Sequence, residues 1–284
     1  MYYYKKTLKS TLSDELINTY LLRPIAGVVV WALYPTPITP NQLTIASTVA
    51  GLIAAGFYLH NEAAFTAIAG LLVTLKDLLD SADGQLARAR QQYSRIGRFL
   101  DSIGDFVVDV ALFGAIGWVL YSTTRDGWMI VLALLGLVGI TLRVSYHVFY
   151  QTSFLHLEEK YQTNRVTEEI TKEDLTGDPL ALALQRCFQA IYGWQDRLMM
   201  RIDEWCKRGR LDREFSIRWY SDPVGLRISG LIGIGTELFI LMVCSVLNEL
   251  QTYLMLNVFL MNAVFLISIL YRRWYLGPTI STKG

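Results

Sequence analysis

Charge is scarce in this chain. Asp, Glu, Lys and Arg make up 18% of its 284 residues, where a soluble domain carries about 25%, so an ordinary water-soluble enzyme fits poorly. The deficit is uneven: 13 of the 25 acids and 11 of the 26 Lys and Arg fall between His156 and Asp222, which leaves long apolar tracts on both sides. A formal net charge of +1, with no basic stripe interleaved with aromatics, excludes nucleic acid as a partner. The three cysteines, Cys187, Cys206 and Cys244, have neither metal-ligand spacing nor an even-numbered framework, and they read as small apolar fillers. The opening MYYYKKTLKS lacks the apolar core of a cleaved signal. Membrane insertion is therefore expected from the chain itself.

What is present is apolar length. Crossing roughly 30 Å of hydrocarbon takes about 20 residues, and six tracts offer them: Asn41–His60, Ala63–Gln91, Ile96–Ser122, Gly127–Phe149, Val224–Asn248 and Thr252–Tyr271. The apolar stretch Pro24–Tyr34 is too short to span. With the segment before it, it reads as an interfacial amphipathic helix. Lys5, Lys6, Lys9, Arg88, Arg90, Arg95, Arg98, the 156–222 insert, Arg272 and Arg273 fall on one side of these spans. The opposite loops, near Asn61-Glu62, Thr123–Asp126 and Asn248–Gln251, hold one Arg and no Lys. Both termini are expected on the cytoplasmic side.

The insert opens polar. Asp178-Pro179 then offers an N-cap and first helical residue, and Leu184, Phe188, Ile191, Leu198, Ile202 and Trp205 recur at helical spacing until Gly209. This predicts a cytoplasmic amphipathic helix. The fold class is an all-α membrane protein with six transmembrane helices, an N-terminal interfacial helix and a helical insert. It divides into 1–40, 41–155, 156–222 and 223–284.

The second and third spans carry the chemistry. Asp80, Asp83, Asp101 and Asp105 are intramembrane carboxylates, each costing several kcal/mol unless paired or hydrated. Asp80 and Asp83 share one helix face and Asp101 and Asp105 another; a hairpin near Tyr93 would set the four facing one another. Converging carboxylates repel unless cations sit among them, and Arg88 alone cannot neutralise four. Oxygen ligands without Cys or His favour Mg²⁺, Mn²⁺ or Ca²⁺ over zinc, and two such ions about 4 Å apart suit an in-line phosphoryl displacement. Gly84, Ala87 and Gly97 leave room for a flat or phosphorylated ligand, although small residues also let helices pack closely. A solvated helix end, or a salt-bridge set with Arg88, Arg95 and Arg98, is the simpler alternative.

These residues also spell D-x-x-D-G-x-x-A-R-x8-G-x-x-x-D-x-x-x-D with every fixed position matched. The pattern resembles the CDP-alcohol phosphotransferase family. Thr39-Pro40-Asn41-Gln42-Leu43-Thr44 is similar to that family's T-P-N-x-L-T opening. The resemblance covers about residues 35–150 and the six-span layout, leaving the insert uncovered.

The resemblance implies a metal-dependent membrane enzyme in which an acceptor alcohol attacks the β-phosphorus of a CDP-linked donor and CMP leaves. Asp80, Asp83 and Asp101 would hold two divalent cations, Mg²⁺ or Mn²⁺, with Asp105 contacting a metal and taking the acceptor's proton. Asp80, Asp83, Gly84, Ala87, Arg88, Gly97, Asn41 and Thr44 would line the donor site, with Arg88 on phosphate oxygens. An intramembrane site suits CDP-diacylglycerol as donor. The alternatives are a soluble CDP-alcohol donor or, in another class, a divalent-cation transporter, which the arginine beside the site disfavours. The expected partners are a CDP-linked lipid donor, an acceptor alcohol and the bilayer, with a homodimer left open.

For the acceptor, Arg143, Ser145, His147 and Arg227 are the candidates. Arg143 reads equally as a phosphate or carboxylate clamp and as the ion-pair partner of a cavity aspartate. Relatives that accept inositol phosphate often carry a Ser-Tyr-x-Lys-Ala-Arg-like run here. This chain keeps Ser145-Tyr146 and lacks the Lys and Arg that follow, so an unphosphorylated alcohol is expected. Asp77 and Asp109 extend the aspartate faces one turn deeper, Lys76 is expected to snorkel or pair with an aspartate, and Glu237 is expected to form a buried hydrogen bond.

Overall fold

The computed structural model describes residues 3–8, 10, 12–157, 170–171, 174–175, 177–210 and 212–282. Much of the opening of the insert, 158–169, lies outside them. Every regular element among the described residues is helical: α1 (Arg23–Leu33), α2 (Pro40–Tyr58), α3 (Ala63–Arg90), α4 (Arg95–Thr124), α5 (Trp128–Leu157), α6 (Pro179–Lys207), α7 (Arg213–Tyr220), α8 (Pro223–Gly230), α9 (Ile234–Val246) and α10 (Leu250–Leu276).

Local chemistry sets the helix starts. Thr39 and Gln42 form a reciprocal capping box at α2, with Pro40 at its first turn, which satisfies amides that a helix start leaves unpaired. Ser94 caps α4 by accepting from the Gly97 amide at 3.1 Å. Asp178 caps α6 through the Leu180 amide at 2.9 Å, as the sequence predicts. Gln91, in the left-handed conformation at φ 55°, ends α3 and turns the chain toward α4.

Four of these stretches are long and apolar enough to cross a membrane: α4, α5, Pro223–Val246 and α10. Helices α2 and α3 have the length but interrupt their apolar runs, α2 with Asn41 and Gln42 and α3 with the charges from Lys76 to Arg90. The expected fifth span, Val224–Asn248, is broken at 231–233 into α8 and α9. This break places Glu237 in the first turn of α9. The fourth runs past its expected end at Phe149 to Leu157.

The core joins Tyr58, Val73, Leu112, Ile116, Leu132, Leu241 and Tyr253 from α2, α3, α4, α5, α9 and α10. Close approach depends on small residues: a Cβ on Gly51 would sit 2.5 Å from Val108 of α4, and one on Gly70 2.6 Å from Ser245 of α9. The N-terminal segment reaches inward. Ser13, Asp14 and Glu15 are buried, the Gln151 amide donates to the Ser13 carbonyl at 2.8 Å, and Glu15 accepts from the Thr236 amide at 2.9 Å. Beyond it, α1 buries Ala26 and Val30 while Val28 and Trp31 stay outward.

The insert helix α6 packs on α4 and α5, and its inward face is rotated partly off the predicted stripe, with Phe188 still against Phe99 and Leu198 and Ile202 against the core. Trp205 is 51% exposed, and Gln185, Gln195, Met199, Asp203 and Cys206 are buried instead. Asp203 sets this rotation by accepting from Tyr150 at 2.9 Å and from Trp219 and Tyr220 at 2.8 Å each. Cys206 and Cys244 are buried as expected of fillers, whereas Cys187 is exposed.

Candidate active site

Helix α2 packs along both α3 and α4 and is the main brace between them. A Cβ at Gly97 would run into Asn41 Oδ1, and one at Gly104 into Thr48 Oγ1; these two glycines seat α2 against the first turns of α4. That packing brings the aspartate-bearing faces of α3 and α4 together. Asp80, Asp101 and Asp105 each present a carboxylate oxygen, all within 4.8 Å of one another.

Asp80 Oδ1 and Asp101 Oδ1 are buried and meet no hydrogen-bond donor. Lys76, itself buried, ion-pairs with Asp105 Oδ1. One ammonium among three carboxylates leaves a strong negative excess, and two orphaned buried oxygens are costly without a partner. The donor set is oxygen only, so the residues fit a hard divalent cation.

The fourth carboxylate is held apart. Asp83 lies on the same helix but accepts from Thr44 Oγ1 of α2 at 2.5 Å and is buried; it is outside the three-carboxylate group. Thr44 is thus beside the site, through Asp83. Asp77 is buried next to Lys76 and Asp109 is half-buried. At Gly84, a Cβ would have as its nearest neighbour the Arg88 guanidinium, at 3.3 Å, so that guanidinium lies closely over the glycine. Ala87 and Arg88 are half-buried, and Arg88 Nε donates to the Thr7 carbonyl at 2.6 Å.

The expected acceptor residues fall differently. Arg143 is fully buried and committed to protein: Nη2 pairs with Glu237 at 3.0 Å, and Nη1 donates to Asn262 Oδ1 at 2.7 Å and to the Asn257 carbonyl at 3.1 Å. The structure pairs this arginine with Glu237 rather than with a cavity aspartate, and Glu237 also accepts from the Asn257 side-chain amide. Ser145 donates to Gln195 of α6 at 2.5 Å. His147 is buried and Arg227 is exposed on α8. Sequence reasoning missed Gln195 and Tyr192, whose hydroxyl donates to the Ser102 carbonyl at 2.7 Å; an aromatic at i+4 from Phe188 on the amphipathic face was the available signal.

At the start of α4, Arg95 bonds both carboxylate oxygens of Asp174 and holds that carboxyl well below the usual range. In the N-terminal segment, burial pushes Glu15 up to about 8.

Four helices long and apolar enough to cross a membrane, together with a carboxylate cluster that could hold a cation, describe an integral membrane protein. Residues 37–166 match the model of the CDP-alcohol phosphatidyltransferase family. It is similar to the bifunctional IPC transferase and DIPP synthase of Thermococcus kodakarensis, 33% identical over 141 residues covering 50% of this chain and 31% of the relative. The archaetidylinositol phosphate synthase of Pyrococcus horikoshii is 39% identical over 101 residues, 33% of this chain and 52% of the relative. The phosphatidylinositol phosphate synthase of Corynebacterium glutamicum is 32% identical over 120 residues, 42% of this chain and 52% of the relative. The matched part spans about half or less of each of these relatives.

Proposed function

We propose that this chain transfers a phosphatidyl-type group from a CDP-linked lipid, of the CDP-diacylglycerol kind, to an unphosphorylated alcohol, with release of CMP. The observation that carries it is the convergence of Asp80, Asp101 and Asp105 with two unpartnered buried oxygens, within a segment that matches the family. These three residues would hold the divalent cations, with Asp83 completing the set from beside them. Bound there, the cations would supply charge stabilisation for the pyrophosphate as its bond breaks.

The remaining work belongs to side chains. Arg88, whose guanidinium lies over Gly84, binds donor phosphate oxygens. Asn41 and Thr44 shape the cytidine end, Thr44 by orienting Asp83. The acceptor hydroxyl attacks the β-phosphorus, the bond from that phosphorus to the bridging oxygen breaks, and CMP leaves with the electron pair. Lys76 occupies Oδ1 of Asp105, so its other oxygen takes the acceptor's proton.

The acceptor follows from where cations are absent. The relatives' names include inositol phosphate and serine products, so likeness alone leaves the acceptor open. A phosphate dianion in a dry pocket calls for two or more charge-assisted contacts, each worth about 1.5–3 kcal/mol. Arg143 is already neutralised by Glu237, and the basic residues after Ser145-Tyr146 are missing, which supports a neutral or singly charged alcohol. In the membrane, α2 and α3 complete six spans, with α1 at the interface and the site opening to the cytoplasmic side where the positive residues cluster.

The test is incubation of purified protein with labelled CDP-diacylglycerol and serine, inositol, glycerol phosphate or inositol phosphate. CMP release and a product lipid with serine or inositol are expected. Preference for a phosphomonoester overturns the acceptor assignment, and no CMP release with any alcohol overturns the donor.

A further inference from the structure

Helix α6 lies beyond the family match, which ends at residue 166, yet it is fastened onto the helices that carry the aspartates. Ahead of it, Asp174 grips Arg95 at the start of α4 and accepts from Gln185 of α6 at 3.3 Å. Midway, Phe188 packs on Phe99 with centroids 5.4 Å apart, and Gln195, buried, accepts the Ser145 hydroxyl of α5. Near its end, Asp203 collects Tyr150, Trp219 and Tyr220, with Lys207 at 2.9 Å. A helix present only to cover lipid headgroups has no need of this set of buried polar ties.

The central tie falls at the reaction cavity. Tyr192 donates to the carbonyl of Ser102, the residue between Asp101 and Gly104-Asp105, and its ring meets Phe106 edge-on at 6.4 Å and Phe188 at 5.0 Å. The phenol lies within electrostatic reach of Asp105, Asp109 and Asp101. A helix carbonyl has two lone pairs, one used within the helix. Filling the second from outside pins the turn of α4 from which Asp101 and Asp105 project. Ligand geometry at a cation is sensitive to such outer contacts, whose loss costs from a few-fold to a hundredfold in affinity.

We propose that Tyr192 is a positioning residue for the cation site: through Ser102 it sets the turn that carries Asp101 and Asp105, so that the insert helix is a working wall of the reaction cavity. This rests on the metal reading above. The probe is Mn²⁺ binding to the purified, detergent-solubilised full chain, followed by loss of the free-ion electron paramagnetic resonance signal, with thermal midpoints measured in parallel.

Tyr192→Phe keeps the ring against Phe106 and Phe188 and removes only the hydroxyl. It is expected to weaken Mn²⁺ binding about three- to tenfold, the equivalent of one hydrogen bond. Phe188→Leu, which loosens packing on Phe99 but leaves the Ser102 bond, is expected to lower the thermal midpoint with Mn²⁺ affinity unchanged. Wild-type affinity in Tyr192→Phe, or an equal loss in Phe188→Leu, would overturn the positioning role while leaving the metal site standing. A wild-type chain that takes up no Mn²⁺ would overturn both.

Discussion

Arg143→Ala separates a structural pair from a substrate clamp. The guanidinium and the Glu237 carboxylate have side-chain exposures of 0% and 1%, so removing one partner strands the other among apolar helices. Breaking a buried pair this way costs about 3–5 kcal/mol. Within a membrane the helices persist on unfolding and polar groups find other partners, which moves the expected loss to the lower end, about 3 kcal/mol. At roughly 2–4 °C per kcal/mol for a chain near this size, the thermal midpoint of the solubilised protein should fall by roughly 6–12 °C. Arg143→Met combined with Glu237→Leu removes both charges and should recover much of that loss, because the desolvation cost of the surviving charge disappears. Acceptor KM, measured by CMP release in the double variant, should stay near the wild-type value. An unchanged midpoint in Arg143→Ala together with a raised acceptor KM would refute the structural assignment and return Arg143 to the acceptor.

Thr44→Val removes the hydroxyl that Asp83 accepts from with little change of shape; donor KM should rise, by up to the roughly ten- to hundredfold that one lost charge-assisted bond is worth, and an unaltered donor KM would count against Asp83 as a donor-site residue. Glu15 carries a pH signature: its folded value near 8 lies above the ordinary 4.5, so the stability it contributes is present below about pH 4.5 and is lost as the pH rises toward and through 8. Glu15→Gln should therefore flatten the fall of the thermal midpoint between about pH 5 and pH 8, and an equal fall in both proteins would contradict that account.

The aspartate-bearing segment was the most legible part of the sequence because its signals are local. Fixed spacings along single helices put Asp80 on one face and Asp101 and Asp105 on another, and the caps at Thr39 and Asp178 are spelled by neighbouring residues. What was not legible depends on contacts distant along the chain. Arg143 reads as either an acceptor clamp or the partner of a cavity aspartate until Glu237 and Asn262, 94 and 119 residues away, are seen to claim it. Trp205 looks like a core residue by spacing, but the polar anchor at Asp203 rotates α6 and leaves it outside. Asp83 separates from its three neighbours because Thr44, 39 residues earlier, holds it.

CMP release from labelled CDP-diacylglycerol, after thorough chelation and stepwise return of Mg²⁺ or Mn²⁺, tests the central claim most directly when wild type and Asp105→Asn are compared in the presence of a saturating alcohol. The aspartate cluster predicts no release from the chelated wild type, recovery on adding either ion, and near-complete loss in Asp105→Asn at every ion concentration with donor binding largely retained. Turnover that persists without divalent ions, or wild-type turnover in Asp105→Asn, would contradict it.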